Sequence, residues 1–322
     1  MTQRRSLVLA PLATLALAAA HVAAQDKPPV RILVGFPPGG SADIVARLLA
    51  EKMRGPLGQN VIVDNKPGAA GRVVLGDLKR AAPDGQTLVL APSGALVILP
   101  WLYRNLGYDP VKDFTPVARA CTFDFAITAG PGAPAGDLKT ILAWMKANPN
   151  KANYATPGAG TVPHFTGVML SQGSGIPMTQ VAYKGGAPAV NDLLGGQVPL
   201  LVDTPLETIE HHRAGKLRIV ALTGEARSKV LPEVPTLKEQ GIDMAADAYF
   251  GVYGPPGLPA EITARLSRAV AEALRQPEVA DKIVSLGLVP AYGTSEELAA
   301  TQAAHLKRWE APIKASGFTV EQ

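Results

Sequence analysis

The sequence predicts an α/β fold of two units, each built on a largely parallel sheet. Three observations carry this reading. Apolar strand-like runs alternate with amphipathic helical patterns along the chain, the signature of parallel strands joined by crossover helices. The length, 322 residues, is enough for two ordinary domains. Finally, three times an apolar strand runs into a glycine-rich turn and opens a helix: Arg31 to Met53, Asn153 to Leu170 and Thr179 to Leu194. Such a corner points the unpaired backbone N–H groups of the first helical turn into open space, and the helix dipole adds partial positive charge, so each is a candidate anion seat.

At the N-terminus Arg4 and Arg5 precede an apolar stretch, Leu7 to Ala20, too short to span a bilayer. Val22-Ala23-Ala24 supplies small residues for cleavage before Gln25. Residues 1–24 therefore read as an export signal, Sec being favoured over the twin-arginine route. Cys121 is the only cysteine. It excludes an internal disulfide, and with no cysteine at the cleavage site a lipid anchor is not expected. The net charge of +4 includes the two arginines of the signal, and without a basic run nucleic acid is not an expected partner.

After the signal, Val30 to Phe36 is a near-continuous apolar run, as in a strand covered on both faces. Val45, Leu49 and Met53 recur at helical spacing behind it. Strand Asn60 to Asn65, a helix from Arg72 to Ala81 and strand Gln86 to Ala91 complete a βαβαβ pattern. A second unit begins near Phe123. It contains the strand-like FAITAG, a helical stripe of Leu138, Ile141, Leu142 and Met145 ended by Pro149, and the other two corners. The strands Pro199 to Asp203 and Leu217 to Leu222 follow. The tail reads as a strand running into a Pro/Gly break, Asp247 to Pro259, then three helices. The second of these ends at Gly287, and Thr294 with Glu297 forms a capping box for the last. We expect this tail to pack on the first unit.

Catalytic signatures are lacking. There is no G-x-S-x-G elbow, no phosphate-binding P-loop and no H-E-x-x-H. Gly158-Ala159-Gly160 begins like a dinucleotide fingerprint, but Pro163 stands where its third glycine belongs. No histidine has ligand spacing to a Cys or carboxylate cluster, so neither metal nor cofactor is expected. His164 reads as a capping or structural histidine. In the first corner Ser41 is the expected helix cap and the glycines serve the turn. Asp43, in the first turn, opposes an incoming anion and is read as bracing the loop. Thr161 is a natural N-cap for the second corner. Lys184 puts a charge beside Gly185 and Gly186 in the third, although a lone lysine is more often solvated surface. Asp203 ends an apolar strand, a position that serves either turn initiation or reception of a polar or cationic ligand group.

The signal peptide, the Pro37-Pro38-Gly39-Gly40-Ser41-Ala42-Asp43 corner and Val61 to Gly71 resemble the start of the Bug/TctC family. These are the periplasmic solute receptors of tripartite tricarboxylate transporters. The resemblance continues through Tyr183 to Val198, Arg227 to Gly241 and Phe250 to Pro259. It implies a two-domain Venus-flytrap of the periplasmic-binding type II class. Domain 1 would comprise residues 25–122 and 252–322, with domain 2, residues 123–251, inserted between them. It also implies a carboxylate ligand held by Phe36, Gly39, Gly40, Ser41 and Asp43 on one lobe. On the other lobe it implies Gly158, Ala159, Gly160 and Thr161, then Lys184, Gly185, Gly186 and Ala187, and Asp203. Ser93 stands where the family usually shows a His-Ala-x-Asn-Pro-like stretch, and Ala159 where it often shows a polar residue. Both departures make the pocket less polar, and so predict a ligand with an apolar body, with citrate a poorer fit. The expected function is capture of a small carboxylate by a monomeric periplasmic receptor that delivers it to membrane permease subunits. A sensor subunit presenting ligand to a membrane signalling protein is the alternative; an enzyme on the same fold ranks lower.

Overall fold

Eleven strands form two sheets in a computed structural model that describes residues 28–319. The export-signal expectations lie outside the described residues. The strands are β1 (Val30–Val34), β2 (Val61–Asn65), β3 (Thr87–Pro92), β4 (Thr115–Asp124), β5 (Ala126–Ala129), β6 (Asn153–Thr156), β7 (Thr179–Ala182), β8 (Leu200–Asp203), β9 (Arg218–Leu222), β10 (Asp247–Gly254) and β11 (Val289–Gly293). The first sheet has the order β11-β4-β10-β3-β1-β2 and the second β7-β6-β8-β5-β9. The two orders are one pattern. In each, three parallel strands are followed by one antiparallel strand that arrives from the other lobe, β10 in the first and β5 in the second.

Numbering the helices of eight or more residues, α1 (Ser41–Leu57) and α2 (Arg72–Lys79) cover the first sheet. The second carries α3 (Leu138–Ala147), α4 (Val162–Ser174) and α5 (Gly186–Leu194). The tail supplies α6 (Ala260–Arg275), α7 (Pro277–Ser285) and α8 (Ser295–Ser316). The tail packs on the first unit, as expected: α6 lies against α1 and β4, and α8 against β4. Burial explains both placements. Leu266, Val270 and Leu274 of α6 and Val45, Leu49 and Met53 of α1 form apolar stripes that would face water if the helices stood apart. The capping box of α8 is present, with Thr294 N–H donating to Glu297 Oε2 at 2.8 Å and Glu297 N–H to Thr294 Oγ1 at 3.3 Å. Cys121 is fully buried in β4, and burial pushes its thiol up to about 12, so it is an inert core residue. Among the described residues no helix is long and apolar enough to cross a membrane.

The chain leaves the first sheet through a single residue, Phe125, between β4 and β5. It returns after β9 and a long irregular segment, and all of β10 from Asp247 onward pairs in the first sheet. Thr223 ties the two crossings together. Its Oγ1 accepts the Phe125 N–H at 2.8 Å and donates to the Ala246 carbonyl at 2.6 Å. Its own N–H donates to the Phe125 carbonyl at 3.0 Å. Only short stretches at Phe125 and Ala246 therefore carry the chain from one sheet to the other.

Beside this crossing Asp124 and Asp247 are paired across β4 and β10. Burial, and then the Asp247 charge, push the Asp124 carboxyl up to about 6. The folded state thus holds this proton more tightly than the unfolded state. Its contribution is present at low pH and is lost as pH rises through about 6. Asp124→Asn should raise stability at neutral pH by about 1–2 kcal/mol and flatten the fall between pH 4 and 6. Urea denaturation midpoints across that range check it; an unchanged pH slope would contradict the assignment.

Candidate functional site

The three glycine corners face one another across a single cavity between the sheets, of about 820 Å³ counted out to its mouth. The first corner, between β1 and α1, contributes Phe36, Pro37, Pro38, Gly40 and Ser41. The second, between β6 and α4, contributes Pro157, Gly160, Thr161, Val162 and Pro163. The third, between β7 and α5, contributes Gly185, Gly186, Ala187 and Pro188. Phe123, Phe125 and Phe250, from the crossing strands, join Phe36 as aromatic wall.

Each corner is held by its own local bonds. Gly39 adopts φ +89°, the left-handed region that favours glycine. Its N–H donates to Asp43 Oδ2 at 2.9 Å, and Arg47 Nε donates to the same oxygen at 2.9 Å. Burial alone would raise the Asp43 carboxyl, but the Arg47 and Gly39 hydrogen bonds hold it below its ordinary value. Asp43 thus braces the loop and does not line the cavity. Gly40, not Ser41, is the N-cap of α1, with φ −80° and ψ 171°, and having no side chain it makes no cap bond of its own. The expected Ser41 cap is corrected accordingly: Ser41 is the first helical residue, and its N–H donates to a carboxylate from elsewhere in the chain, Glu207 Oε1. Thr161 does cap α4, accepting the His164 N–H at 3.4 Å. His164 Nδ1 accepts the Gly160 N–H at 3.2 Å, and burial drives its imidazole down to about 4, so it stays neutral. The capping reading of His164 matches this geometry.

Of the sequence-predicted residues, the structure brings Phe36, Gly40, Ser41, Gly160, Thr161, Gly185, Gly186, Ala187 and Asp203 to the cavity. Gly39, Asp43, Gly158 and Ala159 shape or flank the corners without lining it. Ser93 is fully buried beneath the wall, its N–H donating to the Tyr249 carbonyl at 2.9 Å, while its neighbours Pro92, Gly94 and Ala95 line the space. Lys184 is exposed and lies outside the lining.

The residue the sequence reading missed is Glu207. It follows β8 on the second lobe, yet its Oε1 accepts the Ser41 N–H at 3.2 Å at the start of α1 on the first. A carboxylate at a helix N-terminus is well placed electrostatically. Burial nevertheless pushes the Glu207 carboxyl up, with only the Ser41 amide opposing. Asp203, 5% exposed, is pushed up further, by burial and then by the Glu207 charge. The only sequence signal for Glu207 was an acid four residues past Asp203, separated from it by the proline turn Pro205.

Residues 45–318 match the model of the tripartite tricarboxylate transporter family receptor, TctC. The chain belongs to this family. It is a family of periplasmic solute-binding receptors, and solved structures agree. The periplasmic binding protein BugD is 33% identical with a TM-score of 0.86, over 91% of this chain and 99% of that one. MatC from Rhodopseudomonas palustris, solved with bound malate, is 31% identical with a TM-score of 0.83, over 88% and 98%. A second R. palustris protein, Rpa4515, solved with adipate, is 28% identical with a TM-score of 0.87, over 90% and 98%. The receptor's fold is accordingly the two-lobed Venus-flytrap of the periplasmic-binding type II class.

Proposed function

We propose that this receptor captures a small carboxylate with an apolar body between its lobes and hands it to permease subunits of a tripartite tricarboxylate transporter. It does so as a periplasmic monomer released from its signal after Ala24. The convergence of three helix N-termini on one cavity carries the reading. The amides at Thr161 and Val162 and at Gly186 and Ala187 receive carboxylate oxygens by oriented dipoles, while the Ser41 amide at the α1 terminus is taken by Glu207. The hydroxyls lining the cavity, those of Ser41, Thr161 and Thr204, make no hydrogen bond to its carboxylates, Asp203 and Glu207, which supports binding without chemistry. The lobes, each carrying one sheet, close about the Phe125, Thr223 and Ala246 crossing, and the closed form docks on the permease. Residues 247–251, read from the sequence as part of domain 2, belong with β10 to the first lobe.

The walls set the ligand's character. Four phenylalanines and several prolines surround the seats, and the ionisable residues among them are Asp203 and Glu207, both acidic. A tricarboxylate would meet like charge and little compensation. A dicarboxylate or monocarboxylate with a hydrocarbon or aromatic body should therefore raise the melting temperature in a thermal-shift screen, and calorimetry should return micromolar or tighter affinity. Citrate should give no shift. Tight citrate binding would overturn the apolar-ligand reading.

A further inference from the structure

The acidic pair inside a cavity built for anions has no use for a plain carboxylate. Asp203 Oδ1 accepts the Thr204 N–H at 2.7 Å. Its Oδ2 is buried, belongs to a side chain lining the cavity, and has no hydrogen-bond partner. Thr204 Oγ1, also buried and on a lining residue, has none either. Glu207 Oε2 converges on the same place. A Cβ built on Gly186 would lie 2.5 Å from Glu207 Oε2 and 2.9 Å from Asp203 Oδ2. No lysine, arginine or histidine lines the cavity among the described residues. The pair is thus an uncompensated buried acceptor cluster, a costly arrangement unless something donates to it.

We propose that the ligand carries a protonated nitrogen as well as its carboxylate, and that Asp203 and Glu207 receive that nitrogen. This rests on the carboxylate-receptor reading above. An ammonium supplies three donors and the missing positive charge, and the faces of the surrounding phenylalanines favour a cation. The ligand's carboxylate goes to the amides starting α4 and α5, because Glu207 already takes the Ser41 amide of α1. The ligand class is therefore a zwitterion with an apolar body, such as an apolar amino acid or an ω-amino carboxylate.

The test is calorimetry on matched pairs that differ only by the amine: leucine against isocaproate, phenylalanine against hydrocinnamate, and ε-aminocaproate against caproate. Native protein, Glu207→Gln and Asp203→Asn are titrated, each variant being isosteric and checked for an unchanged melting profile. In at least one pair the amine member should bind the native protein at least about tenfold more tightly. Either variant should erase or invert that preference, with the des-amino partner gaining in Glu207→Gln as the α1 seat loses its resident charge. Des-amino partners binding as well or better in every pair, with both variants shifting the two members equally, would overturn the proposal while leaving the carboxylate receptor intact. If no member of any pair binds native protein or variant, the receptor reading falls and this inference falls with it.

Discussion

Replacing Gly167 with alanine is expected to destabilise the protein by about 3 kcal/mol, lowering the melting temperature by roughly 6–12 °C. Gly167 lies inside α4, where the helix is pressed onto β6. A Cβ there would stand 2.0 Å from Tyr154 Cε2 and 2.3 Å from Cζ. The Tyr154 ring is 1% exposed and fixed at its far end, its hydroxyl donating to the His164 carbonyl at 3.1 Å. It cannot swing away into solvent. Either the ring leaves its rotamer and loses that bond, or α4 lifts from the sheet and opens the packing beneath it. Because Thr161 caps α4, the second corner moves with the helix, so ligand affinity should fall together with stability. Thermal unfolding of Gly167→Ala checks the first effect. Adding Tyr154→Ala should recover part of the loss despite creating a cavity of its own, because it removes the colliding ring. A double variant no more stable than the sum of the two single losses would show that the collision is not the cause.

The second large effect concerns binding alone. Gly186→Val should lower ligand affinity by about 100-fold or more, equivalent to about 2.7 kcal/mol, with little change in melting temperature. Gly186 is the first residue of α5, and its φ lies outside the left-handed region, so the backbone accepts a side chain. The space does not. The valine Cβ falls among the Asp203 and Glu207 oxygens, and its methyl groups fill the cleft where the ligand meets the helix start. Glu207 is long enough to turn aside, so the fold survives, but the seat is gone. Calorimetry with the tightest carboxylate of the screen decides it. Affinity within threefold of native would move the ligand away from the α5 terminus and remove the third corner from the site.

Much of this was legible along the chain. The corners could be read because a strand, a glycine turn and a helix follow one another within some twenty residues, and their backbone geometry is local. The capping box at Thr294 and the structural role of His164 were legible for the same reason. Strand β4 was not read, since Arg119 splits Val117-Ala118 from Ala120-Cys121 and leaves no sustained apolar run; it becomes a strand by pairing on both sides with β10 and β11. The Ser41 cap failed because Gly40 adopts the capping geometry itself and the Ser41 N–H is taken by Glu207, a partner distant in sequence.

By itself the sequence determined the two α/β units and the three glycine corners, which follow from periodicity and turn chemistry acting over a few residues. The family and the less polar pocket were read from the resemblance to the Bug/TctC pattern and from the departures from it at Ser93 and Ala159. Only the tertiary structure decided which groups share the cavity. It set Glu207 against Ser41 across 166 positions of chain, left Lys184 outside and Ser93 beneath the wall, and turned two dispersed acids into one buried pair. Such convergence depends on how two lobes pack and on how far each side chain reaches. No local pattern records it, because the free energy that selects it comes from burial and pairing between segments that meet only in the folded protein.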